Sequence, residues 1–325
     1  MRPFRYERAA DEGGAVAAVA EPGAKFLGGG TNLVDLMRLG VETPSVLVDV
    51  TRLPLDRIEP LEDGGLRIGA GVRNSDLAAD PRIRDRYPAL AEAVLAGASG
   101  QLRNLATTGG NLMQRTRCPY FQDVTTPCNK REPGTGCPAR EGEHTNLAVL
   151  GHSEHCVATN PSDMAVPLAA FDAVVRVVGP EGAREIPLAE FHRLPGDAPE
   201  RDTTLREGEL IVAVDLPPLP LAARSRYRKV RERASFAFAL VSVAAALEVA
   251  DGRVADVRIA FGGLAHKPWR ASAAEDALRG AAAAPEVFAA AADAELAAAR
   301  PPRDNGYKVD LARTALVQTL VELTT

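Results

Sequence analysis

The chain has only four cysteines, Cys118, Cys128, Cys137 and Cys156, and all fall within one short window of its 325 residues. No other feature constrains the fold as much. Cysteines used as small core fillers would scatter through apolar runs, and a disulfide-dense secreted domain would spread them over a much shorter chain. The stretch that carries them, 113–157, is rich in Pro, Gly, Thr and charge and has no sustained hydrophobic period. Aperiodic loops of that length inside compact domains are usually functional or disordered. Regular structure must therefore be built around this stretch.

The spacing Cys-x9-Cys-x8-Cys-x18-Cys lacks the paired Cys-x2-Cys or Cys-x4-Cys knuckles of structural zinc. Four thiolates from a long loop suit an iron–sulfur cubane, whose irons accept widely spaced ligands. Pro119, Pro127 and Pro138 flank three of the cysteines and stiffen the loop. Arg115, Arg117, Lys130, Arg131 and Arg140 have the sign to offset a tetrathiolate's charge, yet they read equally as a solvated face, and none is given a role. His144, His152 and His155 crowd the last cysteine and keep a mixed Cys/His zinc site as the main rival. On residues alone, iron–sulfur, zinc and disulfide readings stay open.

Before the loop, helix and strand alternate. Residues 11–20 have the composition of a short helix, and Lys25-Phe26-Leu27 leads into Gly28-Gly29-Gly30-Thr31-Asn32, followed by helical spacing to Leu39. Glycines between strand and helix let the backbone take positive φ and turn successive N–H groups toward one point, an anion nest for which a pyrophosphate is the natural guest. The helix that follows adds its positive end. Leu33 stands where a Rossmann fingerprint needs its third glycine, so the motif is not of that type. Thr107-Thr108-Gly109-Gly110-Asn111 repeats the chemistry, and two such loops suit a bridging diphosphate held from two sides, although plain turns explain either one alone. Strands are expected over 45–50, 66–71, 173–178, 209–216, 227–231 and 253–261, and helices near 75–79, 87–97 and 164–171, with Ala-rich helices toward the end. Residues 239–249 form an apolar run of unassigned type, and Pro217-Pro218-Leu219-Pro220 is the clearest boundary.

A net charge of -5 and a pI near 5.7 argue against a general nucleic-acid surface, and no apolar stretch approaches a membrane span. Charges occupy the N-terminal positions where a signal peptide is apolar, so the chain is expected to carry no export address of its own.

Several segments resemble one family nearly end to end. FLGGGTNLVDLM, SGQLRNLATTGGNL, ELIVAVDLP and YRKVRER are similar to the FAD subunits of the xanthine dehydrogenase and aldehyde oxidoreductase group. TTGGNLMQRTRCPYFQDVTTPCNK, GHSEHCVATNPSDMAV and AHKPWR are more similar to the subset found in the three-subunit bacterial periplasmic aldehyde oxidoreductase. The resemblance implies an α+β fold. Two FAD-binding subdomains of the PCMH/vanillyl-alcohol-oxidase-like type (1–55 and 56–216, the second carrying the cluster-binding loop 113–157) would precede a C-terminal CO-dehydrogenase-flavoprotein-like domain (221–325) with a small antiparallel sheet and helices.

Carried over by position, the resemblance implies that Lys25, Phe26, Leu27, Gly28, Gly29, Gly30, Thr31, Asn32 and Leu33 bind FAD. The same holds for Thr107, Thr108, Gly109, Gly110 and Asn111, with Asp123, Asp163, Ile211 and Lys229 near the cofactor. A cation near a flavin stabilises its reduced anion. Cys118, Cys128, Cys137 and Cys156 would hold a [4Fe-4S] cluster. The family implies no substrate chemistry on this chain, and no catalytic base or nucleophile stands out. Partners would be a molybdenum-cofactor large subunit and a [2Fe-2S] small subunit, with export to the periplasm alongside a partner, or else residence in the cytoplasm. A stand-alone flavin oxidoreductase and a zinc- or disulfide-stabilised binding module are the rival readings.

Overall fold

In the computed structural model, which describes residues 1–325, the strands Arg5–Arg8 (β1), Ala24–Leu27 (β2) and Val46–Asp49 (β3) form a parallel sheet of order β1-β3-β2. The central strand β3 is buried at every residue, which explains why VLVD is continuously apolar instead of alternating. The intervening helix Glu12–Val19 starts at Asp11, whose carboxylate accepts from the Gly14 N–H at 2.7 Å.

A second sheet is antiparallel throughout and combines Ile58–Pro60 (β4), Leu66–Gly69 (β5), Val174–Gly179 (β6), Gly182–Pro187 (β7) and Leu210–Leu216 (β8) in the order β4-β5-β8-β6-β7. The helices Pro81–Arg86 and Pro88–Ala96 each open on a proline, where a missing N–H costs nothing, and pack with helix Ala165–Ala170 on this sheet. Between them, 113–157 contains only the short helix Pro119–Gln122 and a 3-10 turn at Pro138–Arg140.

The third sheet joins Ser225–Val230 (β9), Val241–Ala250 (β10), Arg253–Gly262 (β11) and Trp269–Arg270 (β12), antiparallel in the order β12-β11-β10-β9. The unassigned run 239–249 is thus strand β10. Val241, Val243, Ala245 and Leu247 face a core shared with the helices Ser272–Leu278, Pro285–Leu296 and Tyr307–Thr324, while Ala244 and Ala246 face the core of the second sheet. Burying each Val or Leu contributes about 1.5–3 kcal/mol. That exceeds the fraction of a kcal/mol by which each Ala favours a helix, so tertiary burial overrides propensity.

The helices and sheets expected from periodicity are present. The additional strands β1, β4 and β7 are short, polar and mostly exposed, and lacked any apolar alternation to reveal them. The C-terminal domain also clasps the end of the cysteine loop. The buried Lys308 ammonium donates to the carbonyls of Leu147 (2.9 Å) and Gly263 (2.6 Å), and burial pushes it down to about 7. Asn305 Nδ2 reaches the carbonyls of His144, Leu147 and Ala148, each at 3.3 Å. No helix is long and apolar enough to cross a membrane.

Candidate functional site

The first glycine segment leaves β2 and enters helix Leu33–Leu39. Six consecutive backbone N–H groups, Gly28 through Leu33, make no hydrogen bond within the protein although all six residues are half-buried. Only Gly30 takes a positive φ, at 72°. Gly28 and Gly29 are required for a different reason, close approach. A Cβ on Gly29 would stand 1.9 Å from the Leu105 carbonyl oxygen, and one on Gly28 would stand 2.9 Å from Thr107 Oγ1. A left-handed residue among unpaired N–H donors is the geometry of an anion nest. This segment therefore fits the diphosphate of FAD.

The second segment lies against the first but is built differently. Thr107 is the N-cap of helix Thr108–Leu112, its hydroxyl accepting from the Gly110 N–H at 3.2 Å. The N–H groups of Thr108, Gly109 and Asn111 donate to the carbonyls of Val72, Ala70 and Thr107 at 2.9, 2.9 and 2.8 Å. Gly109 tucks under Ala70, where a Cβ would meet Ala70 Cβ at 3.1 Å. The sequence reading of a second set of free backbone donors is thus corrected: all four N–H groups are already paired. The segment acts as a wall, and its link onward is Asn111, whose side-chain oxygen accepts from Ser162 at 2.7 Å.

Ser162 and Asp163 open onto a cleft of about 420 Å³, walled by Arg117, Asn160, Arg233 and Phe238 among others. Asp163 is buried. Lys229 Nζ donates to its Oδ2 at 2.7 Å, and the Tyr227 hydroxyl to its Oδ1 at 2.5 Å. Alternation along β9 places Tyr227 and Lys229 on one face, so both reach one carboxylate. Burial raises the Asp163 carboxyl above its ordinary range despite the ammonium beside it, and burial with the adjacent Asp163 charge raises the Tyr227 phenol well above its own. Tyr227 was visible in the sequence only as a neighbour of Lys229; its pairing with Asp163 spans 64 residues.

The four cysteines converge. Cys118, Cys128, Cys137 and Cys156 together line one small cavity with Phe121, Lys130 and Ala158, and none is in a disulfide. Burial pushes the Cys118 thiol up to about 11, whereas contact with the Cys156 side chain draws Cys137 down to about 6 and raises its partner. No three Cys, His, Asp or Glu side chains gather tightly enough to hold a single ion, whereas a zinc site needs four ligands about 2.0–2.3 Å from one point. His144 faces the Ala139 carbonyl and the Asp304 N–H, and His152 the Arg300 carbonyl. All four cysteines thus line one pocket, and no three metal-binding side chains meet at a single point. Cys118 lines both this cavity and the 420 Å³ cleft.

A chain of ion pairs links the two glycine-bearing and cysteine-bearing regions: Lys25–Glu42, Glu42–Arg115 (2.8 Å), Arg115–Asp202 (2.9 Å) and Asp202–Lys130. Burial pushes both carboxyls up, and the cations on either side more than offset it, leaving both below the usual range. Of the remaining candidates, Phe26 and Leu27 are half-buried in β2 and Asn32 accepts from the Arg115 N–H at 3.1 Å. Thr31 and Leu33 flank Asn32 in the nest, and the Thr108 hydroxyl donates into the core, to Val72. Two stand apart. Asp123 is exposed and only caps Thr125, and Ile211 is core-packed in β8. Neither lines the cleft.

Comparison with known proteins agrees with this geometry. Residues 2–219 match the family described as the FAD binding domain in molybdopterin dehydrogenase, and residues 225–323 match the CO dehydrogenase flavoprotein C-terminal domain. The chain is 55% identical to the aldehyde oxidoreductase FAD-binding subunit of Escherichia coli, over 99% of this chain and 98% of that one. It is 27% identical to the carbon monoxide dehydrogenase medium chain of Hydrogenophaga pseudoflava, covering 98% and 94% of the two chains. A solved structure of carbon monoxide dehydrogenase from the same organism superimposes with a TM-score of 0.76 at 28% identity, covering 99% of this chain and 98% of that one. The three-sheet architecture is thus that of a known flavoprotein lineage, and the chain belongs to the FAD-binding subunits of the molybdenum hydroxylases, of the aldehyde oxidoreductase and carbon monoxide dehydrogenase type.

Proposed function

We propose that this subunit is the electron outlet of a molybdenum-dependent aldehyde oxidoreductase and that it holds a [4Fe-4S] cluster in addition to FAD. The observation that carries the second half is the convergence of all four cysteines on one cavity. The aldehyde substrate class is supported by the 55% identity with an aldehyde oxidoreductase subunit, and the large and small partners by relatives described as medium chains.

FAD supplies a two-electron acceptor that hands electrons on to an external oxidant. The chain's own residues would hold and orient it: the unpaired N–H groups of Gly28–Leu33 would bind the diphosphate, while Asn111, Ser162 and Asp163 run from the glycine wall to the cleft. Lys229 and Tyr227 fix the Asp163 carboxylate, and Lys229 would supply a positive charge to a flavin held in the cleft. The cluster supplies one-electron capacity within a shell made by Phe121, Ala158 and the cysteine loop. A partner with a molybdenum cofactor oxidises the aldehyde, and a [2Fe-2S] partner passes the electrons here. The complex is exported folded to the periplasm, with the signal on a partner.

Metal and flavin analysis of the purified complex tests this. The expected result is one flavin and about four iron and four sulfide per copy of this chain beyond the partner's [2Fe-2S] content. Zinc without flavin would sink the proposal and favour a binding module, while a flavin-loaded chain that purifies alone and turns over aldehyde would favour a stand-alone oxidoreductase. Cys128→Ser in the whole complex separates a cluster that carries electrons from one that braces the loop: loss of cluster iron with unchanged turnover means the latter. Recovery of the complex only in cytosolic fractions would refute the location.

A further inference from the structure

Five basic residues lie in or beside the cysteine loop, and the structure treats one of them differently. Arg131 donates to the carbonyls of Tyr120, Phe121 and Thr126, so its charge shapes the loop backbone. Arg140 pairs with the exposed Glu154, and Arg117 with the exposed Asp35. Arg115 is held between Glu42 and Asp202. Lys130 alone lines the four-cysteine cavity, with its side chain only 1% exposed. Its ammonium donates to the Pro199 carbonyl at 2.7 Å and to Asp202.

Lysine is rarely buried to this degree unless paired, and desolvating its ammonium costs several kcal/mol that one shared carboxylate repays only in part. Asp202 is shared, since Arg115 binds its other oxygen. The chain Lys25(+)–Glu42(−)–Arg115(+)–Asp202(−)–Lys130(+) has three cations and two anions, a surplus of one positive charge. It ends in a cation at the cysteine cavity. An anionic group of thiolates and sulfide is what such an end would face.

We propose that Lys130 is the internal counter-cation of the cysteine cage: a positioning residue whose fixed charge favours electron uptake at the iron–sulfur group, with Asp202 setting how much of that charge the cage feels. This rests on the cluster reading above. When the group takes up one electron from a reductant, its negative charge grows by one, and a buried ammonium at the cavity wall stabilises the reduced form more than the oxidised form. Asp202 opposes this, so the two residues act with opposite sign.

The test is a redox titration of the cluster, followed by its electron paramagnetic resonance signal, in the intact complex carrying Lys130→Met, Lys130→Arg or Asp202→Asn. In Lys130→Met the reduced-to-oxidised ratio at a fixed potential should fall about tenfold, equivalent to about 59 mV for a one-electron couple. Lys130→Arg should restore it to near the wild-type value, and Asp202→Asn should raise it. Ratios within about twofold of wild type in both Lys130→Met and Asp202→Asn, with cluster iron retained, overturn the proposal while leaving the cluster reading intact. A downward shift in both variants overturns it too, since that is the mark of a merely loosened loop. If Lys130→Met fails to assemble, the sign of the shift in Asp202→Asn decides. A wild-type complex with no iron beyond the partner's overturns the cluster reading and this proposal with it.

Discussion

The two glycine segments look alike in sequence and are built in opposite ways. Gly28–Asn32 leaves its N–H groups without partners inside the protein, whereas every N–H from Thr108 to Asn111 is already bonded. In the first segment the missing side chains serve backbone approach and one left-handed residue; in the second they let a short capped helix press against Ala70. Glycine content marks both as tight places. Only the hydrogen-bond ledger tells a ligand cradle from the wall beside it.

The comparison breaks most readily at Gly29. A Cβ there would fall 1.9 Å from the Leu105 carbonyl oxygen, a backbone atom that cannot swing aside. Gly29→Ala should separate the two segments, cost more than about 3 kcal/mol and yield protein without flavin. Gly110→Ala is the matching change in the wall. Its Cβ would meet only Thr107 Oγ1, at 3.0 Å, and Ala is favoured over Gly in a helix by about 0.5–1 kcal/mol. Flavin content by absorbance and thermal unfolding of both variants decide the matter. Equal loss of flavin would mean that the two segments are not different in kind.

A smaller effect is expected at Gly30, where φ is 72°. Gly30→Ala keeps every N–H in place but forces an L-residue into the left-handed region, at about 1–2 kcal/mol. Flavin dissociation measured by fluorescence should become roughly tenfold easier, since the strain loosens the nest directly. Unchanged retention would show that the nest's shape is not what holds the diphosphate.

Thr107 supplies the next increment. Thr107→Ala removes the cap on Gly110 and should cost about 1 kcal/mol of stability. If the segment is a wall, thermal stability falls while flavin content stays at wild-type level. Loss of flavin without loss of stability would instead make Thr107 a direct ligand.

Much of this was legible in the sequence, for reasons that differ by region. The strands β3 and β8 declare themselves because apolar, largely β-branched residues run together where both faces are covered, and β6 because its apolar residues run on either side of a single arginine. The cysteine cage was legible as a window because its four thiols lie within one loop. The ion chain was not, because Lys25, Glu42, Arg115, Lys130 and Asp202 are spread over most of the FAD-binding region and no periodicity links them. Asp123 was named from its place in the cysteine loop, and the structure adds that it is exposed, with its carboxylate held in an Asx turn by the Thr125 N–H. Separating the two glycine segments also lay beyond the sequence, since the carbonyls of Ala70 and Val72 that satisfy the second come from a distant strand end.

A last effect, the smallest of the series near pH 6, separates the segments by pH. His192 is buried, and its Nε2 lies 2.9 Å from the Leu112 carbonyl at the end of the second segment, to which it donates, while its Nδ1 has no partner. Burial holds its pKa down to about 4 from an ordinary 6.5. As pH falls, the unfolded chain therefore takes up the proton first. The folded state keeps its full stability above about 6.5 and loses it progressively down to about 4, by at most about 1.4 kcal/mol per pH unit. At pH 6 the loss is under about 1 kcal/mol. His192→Gln retains a donor for Leu112 but cannot titrate, so its urea-unfolding free energy should fall less steeply than wild type between pH 6.5 and 4.5. The first segment has no histidine against its N–H groups, so its Gly30→Ala variant should keep the wild-type slope. Parallel slopes for wild type and His192→Gln would remove the histidine from the wall and leave its hydrogen bond to Leu112 as a contact without a titrating role.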